Sequence, residues 1–240
     1  MKALLDGDIF LYKIGYTTQE EAEETALLRL SELVSRILDT VKATEYIIYL
    51  SCPRNESFRA KLNPEYKAHR KQEKPKHYNA LKQELLDKYN AVVAIEEEAD
   101  DLIGIAQTED LENTIACTID KDILYGIEGY KYNFVKEETF YTSKEQATHF
   151  FYKQLLMGDK ADNIFGLPKV GPVTADKILS GLEGNDEADY FITVYSEYCN
   201  RFSEMSKEDL LSLLLLSGQQ LKIRTCIGEL WQLPNGRRED

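Results

Sequence analysis

The sequence carries four groups of acidic residues, and three of them come after short apolar runs. The groups are Asp6; Glu98, Asp100 and Asp101; Asp120 and Asp122; and Asp159 with Asp162. Because ligands bind beyond the carboxyl ends of the strands in an open parallel sheet, we expect these carboxylates to converge. Carboxylates that crowd together repel one another unless cations neutralise them. Oxygen ligands without His or Cys are those that Mg²⁺ and Mn²⁺ prefer, so the pattern predicts a site for hard divalent ions.

A basic stretch between the first two acidic groups could bind phosphate. Eight basic and three acidic residues between Arg54 and Lys76 give it a net charge of +5, whereas the remainder carries −18. The overall charge of −13 counts against general nucleic-acid binding. Two metal ions about 3.5–4 Å apart suit in-line displacement at a phosphodiester, since they activate water and clamp the scissile oxygens. A nearby cation would stabilise the developing negative charge, and Tyr66–Lys71 is its expected source.

Each acidic group also has a structural interpretation. The helix dipole favours acids in the first turn of a helix, which could account for Glu96–Asp101. The other groups could form turns or helix caps. We favour metal binding because all the groups fit it together.

Gly166–Ala175 is a further candidate for phosphate binding. Two glycines surround an apolar turn, and Pro172 suits the first position of a helix. The exposed N–H groups of such a turn can bind a phosphate without reading bases. An ordinary connection between helices is the structural alternative.

The elements that must position these residues are indicated by the hydrophobic pattern. We predict strands at 3–5, 46–50, 91–95 and 114–119, and helices at 19–41, around 81–86, and at 99–107, 143–157, 173–182, 186–203 and 206–217. Alternation of strands and helices predicts a mostly parallel sheet with helices on both faces. We therefore expect an α/β domain at 1–142 and a helical part at 143–240, in which 231–234 could dock as a short strand.

Composition argues for a cytoplasmic protein with no membrane association. The longest apolar run, Leu210–Leu216, is far below the roughly 18–20 residues that a membrane span needs. The first residues lack the pattern of a secretory signal. Four widely spaced cysteines with no CxxC pair argue against a zinc site or a disulfide framework.

Taken in order, these motifs resemble those of the 5′-nuclease family, which comprises flap endonucleases and 5′→3′ exonucleases, and above all its compact bacteriophage members. The matching blocks are Leu4–Gly7, Phe58-Arg59, Pro64–Lys71, Glu98–Asp101, Asp120–Asp122, Gly158–Asn163 and Gly166–Ala175. They keep their order over about residues 1–182. The resemblance implies a PIN-like α/β fold, a helix–hairpin–helix at 166–182 and two divalent metal ions.

The resemblance also implies roles at the reaction centre. One metal would be held by Asp6, Glu98 and Asp100, and the other by Asp120, Asp122, Asp159 and Asp162, directly or through water, with Asp101 close by. Lys67 matches the family's catalytic lysine, and Arg70 matches its partner at the scissile phosphate. The implied cofactors are two Mg²⁺ ions, which Mn²⁺ can replace, and a K⁺ ion held by main-chain carbonyls of the hairpin.

DNA contacts are implied at positions outside the metal site. They are Lys13, Arg59, Tyr66, Lys71, Gly166, Lys169, Gly171 and Thr174. Among them, Tyr66 matches an aromatic that can stack on a base, and Lys13 lies where relatives often carry an arginine that touches DNA.

This sequence departs from the family pattern in three places. Many relatives have another metal-site aspartate after the second strand, where this chain has Ser51 and Cys52. Lys169 stands where the hairpin usually has glycine. Only 30 residues lie between Lys67 and Glu98, which is short for the helical arch of other members. Asp8 has no firm counterpart.

The resulting hypothesis is a Mg²⁺-dependent 5′→3′ exonuclease or 5′ flap endonuclease that acts by a two-metal mechanism in replication primer removal or DNA degradation. Its expected partners are DNA with 5′ ends, flaps or nicks, RNA–DNA hybrids, and replication proteins. Phage encoding would place it in the host cytoplasm. Two alternatives stay open: a DNA-structure-binding protein of the same fold with weak or lost catalysis, and an RNA-directed nuclease of the wider PIN type.

Overall fold

A six-stranded sheet is the central feature of the computed structural model, which describes residues 1–70 and 73–234. Its strands are β1 (Lys2–Asp6), β2 (Glu45–Leu50), β3 (Val92–Val93), β4 (Thr114–Thr118), β5 (Gly129–Asn133) and β6 (Glu138–Thr142). Their order is β3-β2-β1-β4-β5-β6, and every neighbouring pair is parallel except β5 with β6. The prediction of a mostly parallel sheet is confirmed. Because β1, β2 and β4 run in the same direction, their carboxyl ends share one edge of the sheet.

Helices cover both faces of this sheet. The α-helices of the described residues, whether or not they pack on the sheet, are α1 (Gly7–Thr17), α2 (Glu23–Thr40), α3 (Phe58–Leu62), α4 (Tyr78–Asp87), α5 (Ala99–Glu109), α6 (Lys121–Gly126), α7 (Lys144–Met157), α8 (Pro172–Leu179), α9 (Glu187–Arg201) and α10 (Lys207–Leu221). Ala3 and Leu5 of β1 pack into the core that includes α1, α2 and α4, whereas Leu4 packs into the core that includes α5 and α6. This division follows from the alternation of side chains along a strand.

The chain divides into two compact units. The first contains Met1–Phe58, Lys71–Ser143 and Ile223–Ile227, and the second contains Arg59–Arg70, Lys144–Lys222 and Gly228–Asp240. One crossing point lies beside the expected boundary at 142/143. Two short segments, Arg59–Arg70 and Ile223–Ile227, each belong to the unit in which their side chains are buried. Tyr66 lies in the core of the second unit, and Ile223 lies in a core of the first.

Two elements differ from the sequence-based prediction, and others were not anticipated, namely α1, α3, α6, β5 and β6. The strand expected at 91–95 is only Val92–Val93, and 231–234 forms no strand. Instead, the Trp231 indole donates to Glu187 Oε1 at 3.1 Å and packs on the Phe151 ring with a centroid distance of 5.2 Å. The α1 helix and the β5–β6 hairpin had no clear periodic signal. In α1, Phe10, Leu11 and Ile14 are buried, so packing stabilises the helix.

No helix in the described ranges has both the length and the apolar character needed to cross a membrane.

Candidate active site

Asp6 ends β1 at the shared edge of the sheet, and hydrogen bonds link it to the end of β4. Asp6 is 2% exposed. Its Oδ2 accepts the Thr118 hydroxyl at 2.9 Å, and the same Thr118 oxygen accepts the Asp120 N–H at 3.0 Å. The Asp6 Oδ1 accepts the Ile9 N–H at 3.3 Å as the N-cap of α1. The Thr118 hydroxyl therefore links the side chain of Asp6, at the end of β1, to the backbone of Asp120, just after β4.

Asp8 joins this edge from the first turn of α1. Its Oδ2 accepts the Ser51 N–H at 3.1 Å, directly after β2. The Ser51 hydroxyl in turn accepts the Ala99 N–H at 2.9 Å, at the start of α5. Sequence reasoning gave Asp8 no role, although its place two residues after Asp6 was a usable signal. We call Asp6, Asp8 and Asp120 the strand-end acids.

The strand-end acids influence one another electrostatically. Burial, followed by the carboxylates of Asp8 and Asp120, raises the pKa of Asp6 from 3.8 to about 7. At the end of β2, burial followed by the carboxylates of Glu98 and Glu56 raises the pKa of the Cys52 thiol to about 11. In the metal-free protein Cys52 is therefore a neutral thiol near neutral pH.

The remaining predicted ligands of the first unit lie at helix starts. Glu98 is the N-cap of α5, and Asp100 and Asp101 are in its first turn. Asp101 is fully buried, and its Oδ2 accepts the Glu98 N–H at 3.1 Å. Asp122 lies in the first turn of α6, where its N–H donates to Asp120 Oδ1 at 2.8 Å.

These residues fit a divalent metal by their chemistry. Within residues 1–70 and 73–234, no group of three or more His, Cys, Asp or Glu side chains is arranged to hold a metal ion. Metal binding therefore requires carboxylates to turn toward a common ion. The donors nevertheless are oxygens, as hard ions require, and burial first and the carboxylates of Asp8 and Asp120 next raise the pKa of Asp6, an effect that a bound cation would oppose.

In the second unit, Asp162 is surrounded by three partners from the segment 66–70. Its Oδ2 lies 3.7 Å from Lys67 Nζ and accepts the Tyr66 hydroxyl at 3.1 Å, and its Oδ1 pairs with the Arg70 guanidinium. The Lys67 N–H donates to the Asp162 carbonyl at 2.9 Å. We call Tyr66, Lys67, Arg70 and Asp162 the Asp162 cluster. It brings together the two predicted catalytic cations and one predicted metal ligand.

Asp159, the other predicted ligand of this unit, is buried, and its Oδ1 accepts the Ala161 N–H at 2.7 Å.

Two predicted DNA contacts need correction because their side chains are buried. Arg59 is 3% exposed, and its guanidinium donates to the carbonyls of Gln220 at 2.8 Å and Lys222 at 3.0 Å. It therefore satisfies carbonyl groups at the end of α10, which a helix leaves without intrahelical partners. Tyr66 is 1% exposed within the second unit's core, with Lys67 Nζ 4.8 Å from its ring centroid. As it lies, the ring is not available for stacking on a base.

The hairpin between α7 and α8 borders a groove of about 710 Å³. Its lining includes Lys160, Asn163 and the whole run Ile164–Gly171. Pro172 begins α8, as predicted, and Thr174 is exposed in its first turn. Lys169 has a φ of +62°, which explains why glycine suits this position. A Cβ on Gly166 would lie 2.1 Å from Gly158 N, so this glycine permits close backbone packing.

Among the other predicted DNA contacts, Lys13 is half-buried on α1 and Gly171 is the N-cap of α8. Lys71 lies outside the described residues.

Comparison with known proteins gives the same family as the motifs. The family described as "5′-3′ exonuclease, N-terminal resolvase-like domain" matches residues 2–151. A curated 5′-3′ exonuclease of Buchnera aphidicola subsp. Schizaphis graminum is 27% identical over 194 residues, which are 72% of this chain and 67% of the relative.

Solved structures show the same fold. The T5 D15 protein co-crystallised with metal ions has a TM-score of 0.63 at 14% identity, covering 93% of this chain and 90% of that one. The bacteriophage T5 D15 flap endonuclease in complex with DNA and metal ions has a TM-score of 0.57 at 14% identity, covering 92% and 85%. The catalytic core of Rad2 in complex with DNA substrate has a TM-score of 0.52 at 15% identity, covering 97% and 84%. Together with the family match over more than half of its length, the fold places this chain in the 5′-3′ exonuclease family with an N-terminal resolvase-like domain.

Proposed function

We propose that this protein is a Mg²⁺-dependent 5′→3′ exonuclease and 5′ flap endonuclease that hydrolyses phosphodiester bonds of DNA. The observation that carries the proposal is the environment of Asp6. This carboxylate is buried at the end of a central strand, and two further carboxylates help raise its pKa to about 7. Such an arrangement is costly for the folded protein unless a cation neutralises it. Family membership and relatives crystallised with metal ions and DNA support the same interpretation.

The strand-end acids and the first turn of α5 would bind the metal ions. Asp6, Glu98 and Asp100 are the proposed ligands of one ion, and Asp120 and Asp122 are proposed ligands of the other. Asp8 contributes negative charge at the end of β2, where the sequence has Ser51 instead of an acid. Divalent ions bound there would supply an activated water and neutralise charge on the scissile phosphate. Asp159 and Asp162 stay proposed ligands, and the existing partners of Asp162 compete with that role.

Lys67 and Arg70 are the proposed phosphate-orienting residues. Their shared partner, Asp162, keeps both cations extended toward one point, with 16% of the Lys67 side chain and half of the Arg70 side chain exposed. A scissile phosphate carries the same charge as Asp162 and could replace it as their partner. Cations placed in this way stabilise the negative charge that develops in the transition state.

The proposed substrates are DNA 5′ ends, flaps and nicks, with RNA–DNA hybrids as a further candidate, in replication primer removal or DNA degradation in the cytoplasm. Backbone amides at the start of α8 and the cation of Lys169 would bind the duplex backbone without sequence preference. K⁺ is a proposed ligand of the hairpin, and replication proteins are proposed partners.

The test is cleavage of 5′-labelled flap and nicked duplexes with Mg²⁺, with Mn²⁺, and after addition of EDTA. We expect release of short 5′ products with either metal and none with EDTA. Persistent cleavage in EDTA by the purified chain would contradict the metal-dependent mechanism. Asp120→Asn is the matched variant, because it changes one charge at the strand ends and should reduce cleavage by orders of magnitude without unfolding the protein.

A DNA-structure-binding protein with weak or lost catalysis is the second candidate. The observation that favours it is the pair Ser51 and Cys52 at the end of β2, where an acid would complete the metal site. In that case flap and duplex binding would persist, while cleavage would be absent even with Mn²⁺ at the best substrate.

A further inference from the structure

Residues Ile223–Ile227 follow α10 in sequence but belong to the first unit. Ile223 is 5% exposed in the core that includes Ala99 and Ile103 of α5. A Cβ on Gly104 of α5 would lie 2.5 Å from the Arg224 carbonyl oxygen, so the segment packs directly on the helix backbone. Only glycine at position 104 permits this approach.

Arg224 makes the main polar contacts of this segment. Its Nη1 lies 2.6 Å from Glu97 Oε1, and its guanidinium carbon lies 3.6 Å from the centroid of the Phe58 ring. The side chains of Arg224 and Glu97 are only 10% and 7% exposed. A buried Arg–carboxylate pair cannot lose one partner without leaving an uncompensated buried charge. Arg224 is thus the group that permits Glu97 to be buried beside the predicted metal ligands.

The backbone around Glu97 is fixed at two further points. The Glu97 carbonyl accepts the Cys52 N–H at 3.2 Å, and the Glu96 carbonyl accepts the Phe58 N–H at 2.7 Å. Glu96 has a φ of +60°, in the left-handed region that a non-glycine residue adopts only under constraint. The turn that delivers Glu98 to α5 is therefore constrained by its contacts.

Asp101 connects Arg224 to the same turn. It is fully buried; its Oδ1 accepts the Arg224 N–H at 3.1 Å, and its Oδ2 accepts the Glu98 N–H at 3.1 Å. Both carboxylate oxygens are therefore engaged with backbone groups, in a position that fixes the first turn of α5. This geometry favours a structural role for Asp101 over the metal-binding role that the sequence predicts.

We propose that Arg224 and Asp101 are positioning residues, which hold the turn 96–98 and the first turn of α5 so that Glu98 and Asp100 are presented for metal binding. The inference rests on the proposed function and adds to it a dependence of the metal site on the segment 223–227. Sequence analysis missed Arg224 because it lies 123 residues from Asp101 and in no motif.

The experiment compares wild-type protein with Arg224→Met, Arg224→Lys and Asp101→Asn. Arg29→Met is the matched control, because Arg29 forms a 2.7 Å pair with Glu21 in the same unit but is 42% exposed. The first readout needs no metal: amide hydrogen exchange of residues 97–102 in EDTA. The second is Mn²⁺ affinity of EDTA-stripped protein, measured by electron paramagnetic resonance. The third is the Mg²⁺ concentration that gives half-maximal flap cleavage.

We expect Arg224→Met and Asp101→Asn to increase amide exchange at 97–102 at least tenfold and to weaken Mn²⁺ binding at least tenfold. Both variants should need a higher Mg²⁺ concentration for half-maximal cleavage, and their cleavage should recover at saturating Mg²⁺. Arg224→Lys should restore part of each effect, because it keeps the charge opposite Glu97 but not the planar guanidinium. Arg29→Met should change none of them. Should Arg224→Met not fold, Arg224→Lys and Asp101→Asn carry the test, with the same directions expected.

Folded variants with wild-type exchange and wild-type Mn²⁺ affinity would overturn the inference while leaving the proposed function intact. A wild-type protein that neither binds Mn²⁺ nor cleaves DNA would overturn both.

Discussion

Asp6 in the first unit and Asp162 in the second are the same residue type in opposite surroundings. Burial, Asp8 and Asp120 all raise the pKa of Asp6, which reaches about 7. Asp162 instead contacts Lys67, Arg70 and the Tyr66 hydroxyl. The first carboxylate lies among other acids, and the second already has protein cations as partners.

This difference separates two roles that the sequence alone presents as one. Carboxylates that raise one another's pKa form a site that a divalent ion would stabilise. A carboxylate held by two cations positions those cations, and a metal ion would have to compete with them. Identical substitutions at the two positions should therefore have opposite effects on the stability of the metal-free protein.

The largest effect is expected for Asp6→Asn. Cleavage should fall by about three orders of magnitude or more, since the proposed site loses a ligand at its centre. In EDTA at pH 8, by contrast, the variant should be more stable than wild type. An acid whose folded pKa is raised from 3.8 to about 7 lowers stability progressively as pH rises through that window, and asparagine removes this cost. Flap cleavage and urea unfolding at pH 4 and pH 8 provide the measurements.

The control for Asp6→Asn is the effect of Mg²⁺ on thermal unfolding. Mg²⁺ should raise the unfolding temperature of wild-type protein, because a ligand that binds only the folded state stabilises it, and should raise that of the variant much less. Equal shifts in both proteins would show that Asp6 is not part of a metal site.

The sequence predicts the location of two of the strand-end acids, though not of Asp8, because strand direction and strand ends follow from local patterns. Asp6 and Asp120 follow apolar runs, and a parallel sheet places such ends on one edge. It does not predict which basic residues are accessible. Arg59 lies in a basic stretch but is buried against Gln220, 161 residues away. Contacts at that separation have no signal in local composition.

The next largest effect on cleavage is expected for Lys67→Ala, in the Asp162 cluster of the second unit. Turnover should fall about 100-fold or more, whereas affinity for flap DNA should change only a few-fold, since the cation acts mainly in the transition state. Single-turnover cleavage and fluorescence anisotropy with Ca²⁺ in place of Mg²⁺ separate the two quantities. Lys207→Ala, exposed in the first turn of α10, is the control with unchanged turnover. Loss of affinity with normal turnover would make Lys67 a binding residue only.

Lys131 offers a cationic counterpart to Asp6 in the first unit. It is fully buried in β5, where its Nζ donates to Gln107 Oε1 at 2.6 Å and to the Glu128 carbonyl at 3.2 Å. Burial lowers its pKa from 10.5 to about 7, against the opposing influence of Glu128. The unfolded chain therefore binds one more proton between pH 7 and 10.5, and stability contributed by this group rises with pH across that window.

Lys131→Met should remove that rise, which is at most about 1.4 kcal/mol per pH unit for one proton. Urea unfolding in EDTA at pH 7, 8 and 9 gives the slope for each protein. The exposed Lys136→Met is the control and should keep the wild-type slope. Parallel slopes in wild type and Lys131→Met would show that Lys131 keeps its proton throughout this range.

The smallest effect, and the most direct test of the comparison, is expected for Asp162→Asn. The metal-free protein should lose about 1 kcal/mol of unfolding free energy, a modest amount because Arg70 is half-exposed and solvent screens its pair. The Tyr66 hydroxyl keeps an acceptor in the asparagine side chain, so the loss arises from the two cations. Urea unfolding in EDTA at pH 8 measures the change in unfolding free energy of Asp162→Asn and of Asp6→Asn under one condition, and the two changes should have opposite signs.

Asp176→Asn is the control, since Asp176 also has two basic neighbours, Lys153 and His149, but its side chain is 50% exposed. This substitution should lower the unfolding free energy by less than Asp162→Asn does. If Asp162→Asn instead stabilised the metal-free protein as Asp6→Asn does, the carboxylate of Asp162 would destabilise the protein in the absence of metal, as expected of a metal ligand. Lys67 and Arg70 would then not depend on Asp162 for their positions.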